Sequence, residues 1–398
     1  MTKTSDYLII GAGIIGFSVA RALLQRDPGC SIRILEKEAS AGSHASGRNS
    51  GVLHAGFYYS QDSLKARFTR DGNQRMRDYC LEQKLSINHC GKLVVAVNEE
   101  EITGLEELFR RANVNGIETS LITAAEAREL EPRVRTIDKA LWSPTTSSVN
   151  PRQIMQALEN ELKSAGVQID KGVAYRSNNQ EKVETSNGVY SAGHFINAAG
   201  LYADRIAHDH GFGEQYRVAP FKGLYLTANR KIGTFKRHIY PVPNLNNPFL
   251  GVHFTLTVDL SLKIGPTAIP AFWREQYSGL KGFNLSELSE TIRNNTALFL
   301  KDPSDYHKLA TQEMRKYFKN TLVADAARMA TDVDVSMFSG WGTPGIRAQL
   351  LDIKNRTLVN DFVVEGDAKS THILNAVSPA FTCAFSFADY VVDIIQSR

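Results

Sequence analysis

Only four cysteines occur in 398 residues, Cys30, Cys80, Cys90 and Cys383, and no two of them form a C-x-x-C pair. That scarcity excludes a zinc ribbon and a disulfide framework, and it predicts free, buried thiols and no metal centre. No apolar run nears the roughly 20 residues that span a bilayer. The first strand starts almost at the N-terminus, which leaves no room before it for a signal peptide. A cytoplasmic protein is expected, with docking at the inner face of the cell membrane left open. Charge of one sign is also lacking: 46 basic residues against 42 acidic give a net +4. These charges are dispersed rather than gathered into a stripe, so nucleic acid is not an expected partner. No repeat of fixed period stands out.

What is present is an ordinary globular chain, 42% hydrophobic and 22% charged. Its length exceeds the roughly 250–300 residues at which a single core stops growing, so two lobes are expected. Residues 7–10 read as a buried strand, Gly11-Ala12-Gly13-Ile14-Ile15-Gly16 as a turn, and 17–25 as a helix. In such a G-x-G-x-x-G turn Gly11 allows the sharp bend, Gly13 the approach of backbone to a pyrophosphate, and Gly16 the close seating of helix on strand. The phosphate charge rests on the helix N-terminus. A second strand, 31–35, ends at Glu36, about 20 residues on, where a ribose-binding acid belongs. A dinucleotide is therefore expected.

The segment after that strand chooses a flavin over a nicotinamide. Ala41 to Gly51 is rich in glycine and serine, and it includes Ser46, Gly47, Arg48, Asn49 and Ser50. Such a loop lets backbone lie against a flat ring and offers many N–H and hydroxyl donors. Val52, Leu53 and Phe57 follow and ask for burial, which a free surface loop would not.

Further on, helices are expected at 64–84, 99–113 and, capped by Asn150 with Pro151 in the first turn, up to Ala165. Strands are expected at 91–97 and 167–170, with Asn187-Gly188 as a tight turn. Residues 195–200 form an apolar strand ending in small residues, and a helix starts at Tyr202. Segments 220–228 and 249–266 suit an antiparallel sheet. Residues 283–331 read as two helical pieces broken at Asp302-Pro303, with amphipathic spacing and no heptad. A strand at 371–375 feeds Ser378-Pro379 and a last helix to Ile395.

The motifs GAGIIG with Glu36, GRNSGVLHAGFYY with the following SLKA, CGKLVVAV, FINAAG, FLGVHFT, IGP, GIRAQ and NAVSPA run in order along nearly the whole chain. In these the sequence resembles the FAD-dependent oxidoreductases of the D-amino-acid oxidase superfamily, and most of all the L-2-hydroxyglutarate dehydrogenases and oxidases. The resemblance implies an α/β fold with a doubly wound, Rossmann-like FAD-binding domain and a second domain of mixed, largely antiparallel sheet plus helices. The first is expected over 1–90, 145–215 and 335–398, the second over 91–144 and 216–334. FAD is the implied cofactor. Besides the fingerprint and bed residues through Val52, it implicates Lys37, Val173, Ala198, Ala199 and Gly200. The Ser378-Pro379-Ala380-Phe381-Thr382 segment joins them, its helix N-terminus facing negative charge on the reduced ring.

The implied reaction is oxidation of a 2-hydroxy acid such as L-2-hydroxyglutarate, with hydride passing from C2 to flavin N5 while a base takes the hydroxyl proton. Arg347 stands where the superfamily places its carboxylate-binding arginine, and a guanidinium fork clamps a carboxylate as lysine cannot. His253 and His54 are the candidate bases, with His253 favoured; His54 could instead position the flavin or attach to it. On its strand His253 shares a face with Thr255. Arg48, Tyr58, Tyr59, Lys222 and Tyr225 are candidates for the pocket lining or a distal carboxylate. Two stretches depart from the family: Leu260 follows Asp259 where a glycine is usual, and Ser339 to Pro344 is bulky and glycine-rich. Oxygen or a membrane quinone would take the electrons. The rival readings are an amine or amino-acid oxidase, a glycerol-3-phosphate dehydrogenase-like enzyme, and a catalytically silent flavin-binding subunit.

Overall fold

Leu8, Ile9 and Ile10 are all buried, the pattern of a strand covered on both faces, and they end the strand at the centre of a parallel sheet. The computed structural model describes residues 2–179, 182–229, 235–243, 251–301 and 313–398. In it Lys3–Ile10 lies between Ile32–Glu36 and Gly188–Asn197, parallel to both. Gln168–Lys171 extends one side, and Ser370–Ile373 pairs with the last residues of Gly188–Asn197 on the other. An antiparallel arm, Tyr175–Asn179 and Lys182–Thr185, joins the first half of Gly188–Asn197. The helix Ile14–Arg26 packs on Ala380–Gln396, which packs in turn on Leu64–Glu82. Phe17, Leu23, Phe68, Phe387 and Val391 fill the core between them.

The second lobe is built around an eight-stranded sheet in the order 338–341, 226–228, 262–265, 253–256, 238–241, 92–95, 139–143 and 120–123. Its pairs are antiparallel except His238–Pro241 with Lys92–Val95. A smaller sheet pairs Tyr216–Gly223 with Gly345–Asp352. The strands Phe338–Trp341 and Gly345–Asp352 thus complete sheets begun by residues 216–265. The chain rejoins the parallel sheet at Val364–Gly366 and Ser370–Ile373, later than the position 335 expected from the sequence.

Other expectations meet small differences at element ends. The Asn150 side chain accepts from the amides of Arg152 and Gln153, so the Pro151–Ser164 helix is capped as its sequence suggests. Before the helix Ala203–Asp209 the chain makes a short 3-10 turn, Gly200–Tyr202. The break at Asp302-Pro303 lies outside the described residues; on either side are the helices Leu285–Lys301 and Lys319–Ala327. The four thiols are free, with Cys30 only half-buried.

Two features bear on the joint between lobes and on its periphery. Arg274, fully buried, forks onto Asp204, with Nη1 2.5 Å from Oδ1 and Nη2 2.9 Å from Oδ2. Glu290 accepts from the same guanidinium at 3.0 Å, so the charges are paired where solvent is absent. In the turn between His253–Leu256 and Leu262–Gly265, Leu260 has φ +61°, the left-handed region. The glycine missing from the sequence is therefore missing where backbone geometry would favour one.

Candidate active site

Two cavities meet at the joint. The first, about 800 Å³, is walled in part by the glycine turn and the loop after the second strand. A Cβ on Gly11 would lie 2.5 Å from the Ala198 carbonyl oxygen, and Gly11 itself has φ +108°. A Cβ on Gly13 would lie 3.1 Å from Ser46 Oγ. The amides of the first turn of Ile14–Arg26 have no acceptor within the helix; Ile14 donates to Ser46 Oγ at 2.9 Å, tying the loop to the turn. Glu36 closes the end of its strand, accepting from Ala12 N and Glu38 N, each at 2.9 Å. The cradle, the amide-rich helix end and the carboxylate together fit a dinucleotide.

The remaining wall brings distant segments together. Ile15, Lys37, Arg48, Asn49, Ser50, Val52, Val173, Ala198, Ala199, Gly200 and the whole of 378–382 line this cavity. Arg48 donates to the carbonyl of Ser43 at 2.7 Å and stacks 4.2 Å over the Tyr277 ring, which keeps it beside the first cavity. At the rim Glu38, His44 and Glu275 converge, but they already bond to one another's neighbours: His44 to Tyr277 at 2.7 Å and Lys37 to Glu275 at 2.6 Å.

Three expected contacts prove to be scaffolding. Gly16, Gly47 and Gly51 do not line the cavity, and a Cβ on each would meet protein backbone. The atoms in the way would be Gly11 O at 2.0 Å, Gly42 O at 2.4 Å and Val149 O at 2.4 Å respectively. They hold the bed from behind.

The second cavity, about 590 Å³, shares Ser50, His54, Tyr225, Pro266, Arg347, Val377 and Ser378 with the first. Tyr58, Tyr59, Tyr240 and His253 line it too. His253 is buried and stacks on Tyr240, ring centroids 3.7 Å apart. Its Nδ1 donates to the Gly251 carbonyl at 3.0 Å, which leaves Nε2 with the lone pair. Burial, and then the nearby His54, hold its pKa well below the ordinary imidazole value. His54 is held low as well, by burial first and then by Lys92, and its Nδ1 is buried with no hydrogen-bond partner among the described residues. Two neutral imidazoles therefore face one space.

Lys222 and Thr255 line neither cavity. On Tyr216–Gly223 it is Phe221 that pairs with Arg347, while Lys222 pairs with Ile346; directly paired residues share a face, so Lys222 turns away from the arginine's side. Thr255 has His253's parity but lies fully buried, farther along a strand that is leaving the cavity.

The sequence reading missed Lys92 and Lys65. Lys92 is fully buried, its amine 4.6, 4.7 and 4.8 Å from the ring centres of Phe57, Tyr58 and Tyr240. Burial pushes its pKa down to about 7. The aromatic box supplies cation–π attraction in place of a counter-ion. A lysine beside the apolar run Leu93-Val94-Val95 was the available signal.

Comparisons with known proteins agree with this construction. A family model described as FAD dependent oxidoreductase matches residues 6–394. The chain is 33% identical to the mitochondrial L-2-hydroxyglutarate dehydrogenase of Homo sapiens, covering 100% of this chain and 90% of that protein. It is 33% identical to the L-2-hydroxyglutarate dehydrogenase of Indibacter alkaliphilus, over 98% of each. In fold it is similar to an L-alpha-glycerophosphate oxidase from Mycoplasma pneumoniae with FAD bound, at TM-score 0.77 and 21% identity over 99% of this chain and 95% of that one. A glycine oxidase from Geobacillus kaustophilus gives 0.74 and 18% over 100% and 96%. The family match along nearly its whole length, together with these relatives, makes the chain a member of the FAD dependent oxidoreductases.

Proposed function

We propose that the protein oxidises L-2-hydroxyglutarate to 2-oxoglutarate. The observation that carries this reading is the shared wall, where Arg347 and His54 line both the cavity that fits the dinucleotide and the cavity that holds His253. The curated relatives named for this substrate supply the identity of the acid.

FAD, when bound, supplies the acceptor for the hydride that leaves C2. Arg347, reaching from Gly345–Asp352, fixes the C1 carboxylate, and its fork sets the orientation of C2. His253 Nε2 takes the hydroxyl proton; the Gly251 carbonyl holds the other nitrogen's hydrogen and so fixes the tautomer. Its low pKa keeps it unprotonated at neutral pH, ready to accept. His54 orients the reacting groups from the shared wall. The amides at the start of Ala380–Gln396 face the first cavity and favour negative charge there.

Anaerobic addition of L-2-hydroxyglutarate to the flavin-loaded protein bleaches its visible absorption, with glycine, L-proline and L-glycerol 3-phosphate as the comparison panel. Reduction by one of those and not by the hydroxy acid would overturn the reading. Electrons then leave to oxygen or to a membrane quinone, and the rate of reoxidation by oxygen against a soluble quinone analogue separates the two. No helix among the described residues is long and apolar enough to cross a membrane, so any quinone would be reached from the surface.

A further inference from the structure

The second cavity carries a charge that chemistry at C2 does not use. Lys65 stands in the first turn of Leu64–Glu82 and lines this cavity, with only 8% of its surface exposed. Its ammonium makes no hydrogen bond or ion pair among the described residues; the Tyr59 ring is its neighbour, 5.9 Å away. A buried ammonium without a partner is costly, by several kcal/mol.

The acids around it are engaged elsewhere. Asp361 spends its carboxylate on the helix start, accepting from Leu64 N at 2.7 Å, Lys65 N at 3.1 Å and Phe362 N at 2.9 Å. It acts on the ammonium only through space. Glu313 accepts from Ala268 N at 2.6 Å and pairs with Lys316. Asp62 is exposed on the cavity wall. Of the two arginines of that wall, Arg111 is already paired with Glu107 at 2.8 Å.

We propose that Lys65 binds the distal carboxylate of a 2-hydroxy dicarboxylate whose C1 carboxylate lies at Arg347, so that the cavity selects dianionic over monoanionic hydroxy acids. The inference rests on the reading given above for the reaction. Tyr59 neighbours both cations: the Lys65 amine lies over its ring, and the field of Arg347 reaches its hydroxyl. With both histidines neutral, two positive charges meet two carboxylates. The cavity, about 590 Å³, admits a five-carbon chain.

The same geometry gives a pH signature. Burial, with Arg347 adding to it and with Asp361 and the Cys383 sulfur opposing, pushes the Lys65 pKa down to about 8. A carboxylate that pairs with it raises that value again, so affinity for a dianion falls as the pH climbs past about 8.

The test uses flavin-loaded protein and two substrates of equal chain length, L-2-hydroxyglutarate and L-2-hydroxyvalerate, the second ending in a methyl group. Lys65→Met is expected to lower kcat/KM for the dicarboxylate by about 100-fold, mostly through KM, and to leave the monocarboxylate within about threefold. Lys65→Arg should keep the preference for the dicarboxylate. An equal loss with both substrates, or an undiminished preference in Lys65→Met, overturns the inference. In the unsubstituted enzyme the ratio of the two KM values should shift against the dicarboxylate above pH of about 8, and a ratio flat with pH overturns the inference without any variant. A wild-type flavin that L-2-hydroxyglutarate cannot reduce overturns the functional reading itself, an outcome visible before any variant is made.

Discussion

The two cavities differ in what they rest on. The first rests on main chain, the glycine turn, a helix end and a loop whose serine ties it to the turn, with charged side chains such as Lys37, Arg205 and Glu275 elsewhere in its wall. The second is shaped by side chains that titrate or carry charge, among them His54, His253, Lys65, Arg347 and four tyrosines, drawn from both lobes. Main-chain walls have fixed dipoles and shape, which suits a cofactor that stays. Side-chain walls can tune the pKa of a neighbour, as burial and then His54 do for His253, which suits a ligand that arrives, reacts and leaves.

That contrast is most easily broken at Gly11. Gly11→Val puts a branched side chain at a positive φ and against the Ala198 carbonyl, and the expected outcome is protein without flavin, read from its visible absorbance. Retention of flavin by this variant would mean that the first cavity does not depend on its main-chain shape. Replacing a group in the second cavity should do the reverse, sparing the cofactor and removing the chemistry. His253→Asn is expected to slow flavin reduction by about 10²–10⁴-fold, the usual span for a general base. Because the His253 pKa is depressed, the unsubstituted enzyme should hold its rate through neutrality and lose it only as pH falls through that lowered value, when the imidazole protonates. A rate that instead declines near the ordinary imidazole pKa would remove His253 from the role.

Arg347 belongs to both walls, and its replacement sharpens the comparison. Arg347→Lys keeps the charge but loses the fork, with an expected rise in KM of about 10–100-fold and flavin still bound. Unchanged KM and kcat would place the carboxylate anchor elsewhere. The smallest effect is expected away from both cavities, at the turn below His253. Leu260→Gly removes a side chain from a left-handed backbone position and should stabilise the protein by about 1 kcal/mol in thermal or denaturant unfolding. No gain would show that glycine's extra freedom in the unfolded chain offsets the relief.

The same contrast explains what the sequence reveals. Gly11, Gly13 and Glu36 sit at spacings that a phosphate and a ribose impose, so the first cavity is legible from a single stretch. Even so, Gly47 and Gly51 look like ligand contacts on paper and turn out to make room for Gly42 and Val149, because a list of residues does not say which side of a glycine the neighbour occupies. The second cavity gathers positions from 50 to 378, most of whose local patterns are those of ordinary helices and strands. Lys222 was misplaced because register, not alternation alone, decides which face meets Arg347. Lys65 and Lys92 lie in segments that read as a plain helix and a plain strand; only tertiary packing shows that both amines are buried.

The order of strands in the parallel sheet sets a timetable. Its centre is made from the first ten residues, but Ser370–Ile373 and the Ala380–Gln396 helix come last, and residues 378–382 complete the wall of the first cavity. At synthesis rates of about 5–20 residues per second, the fingerprint turn waits on the order of twenty seconds or more for its final wall. The wall of the first cavity is therefore complete only once residues 378–382 have been made, and until then the sheet edge that Ser370–Ile373 covers stands open to pairing with other chains.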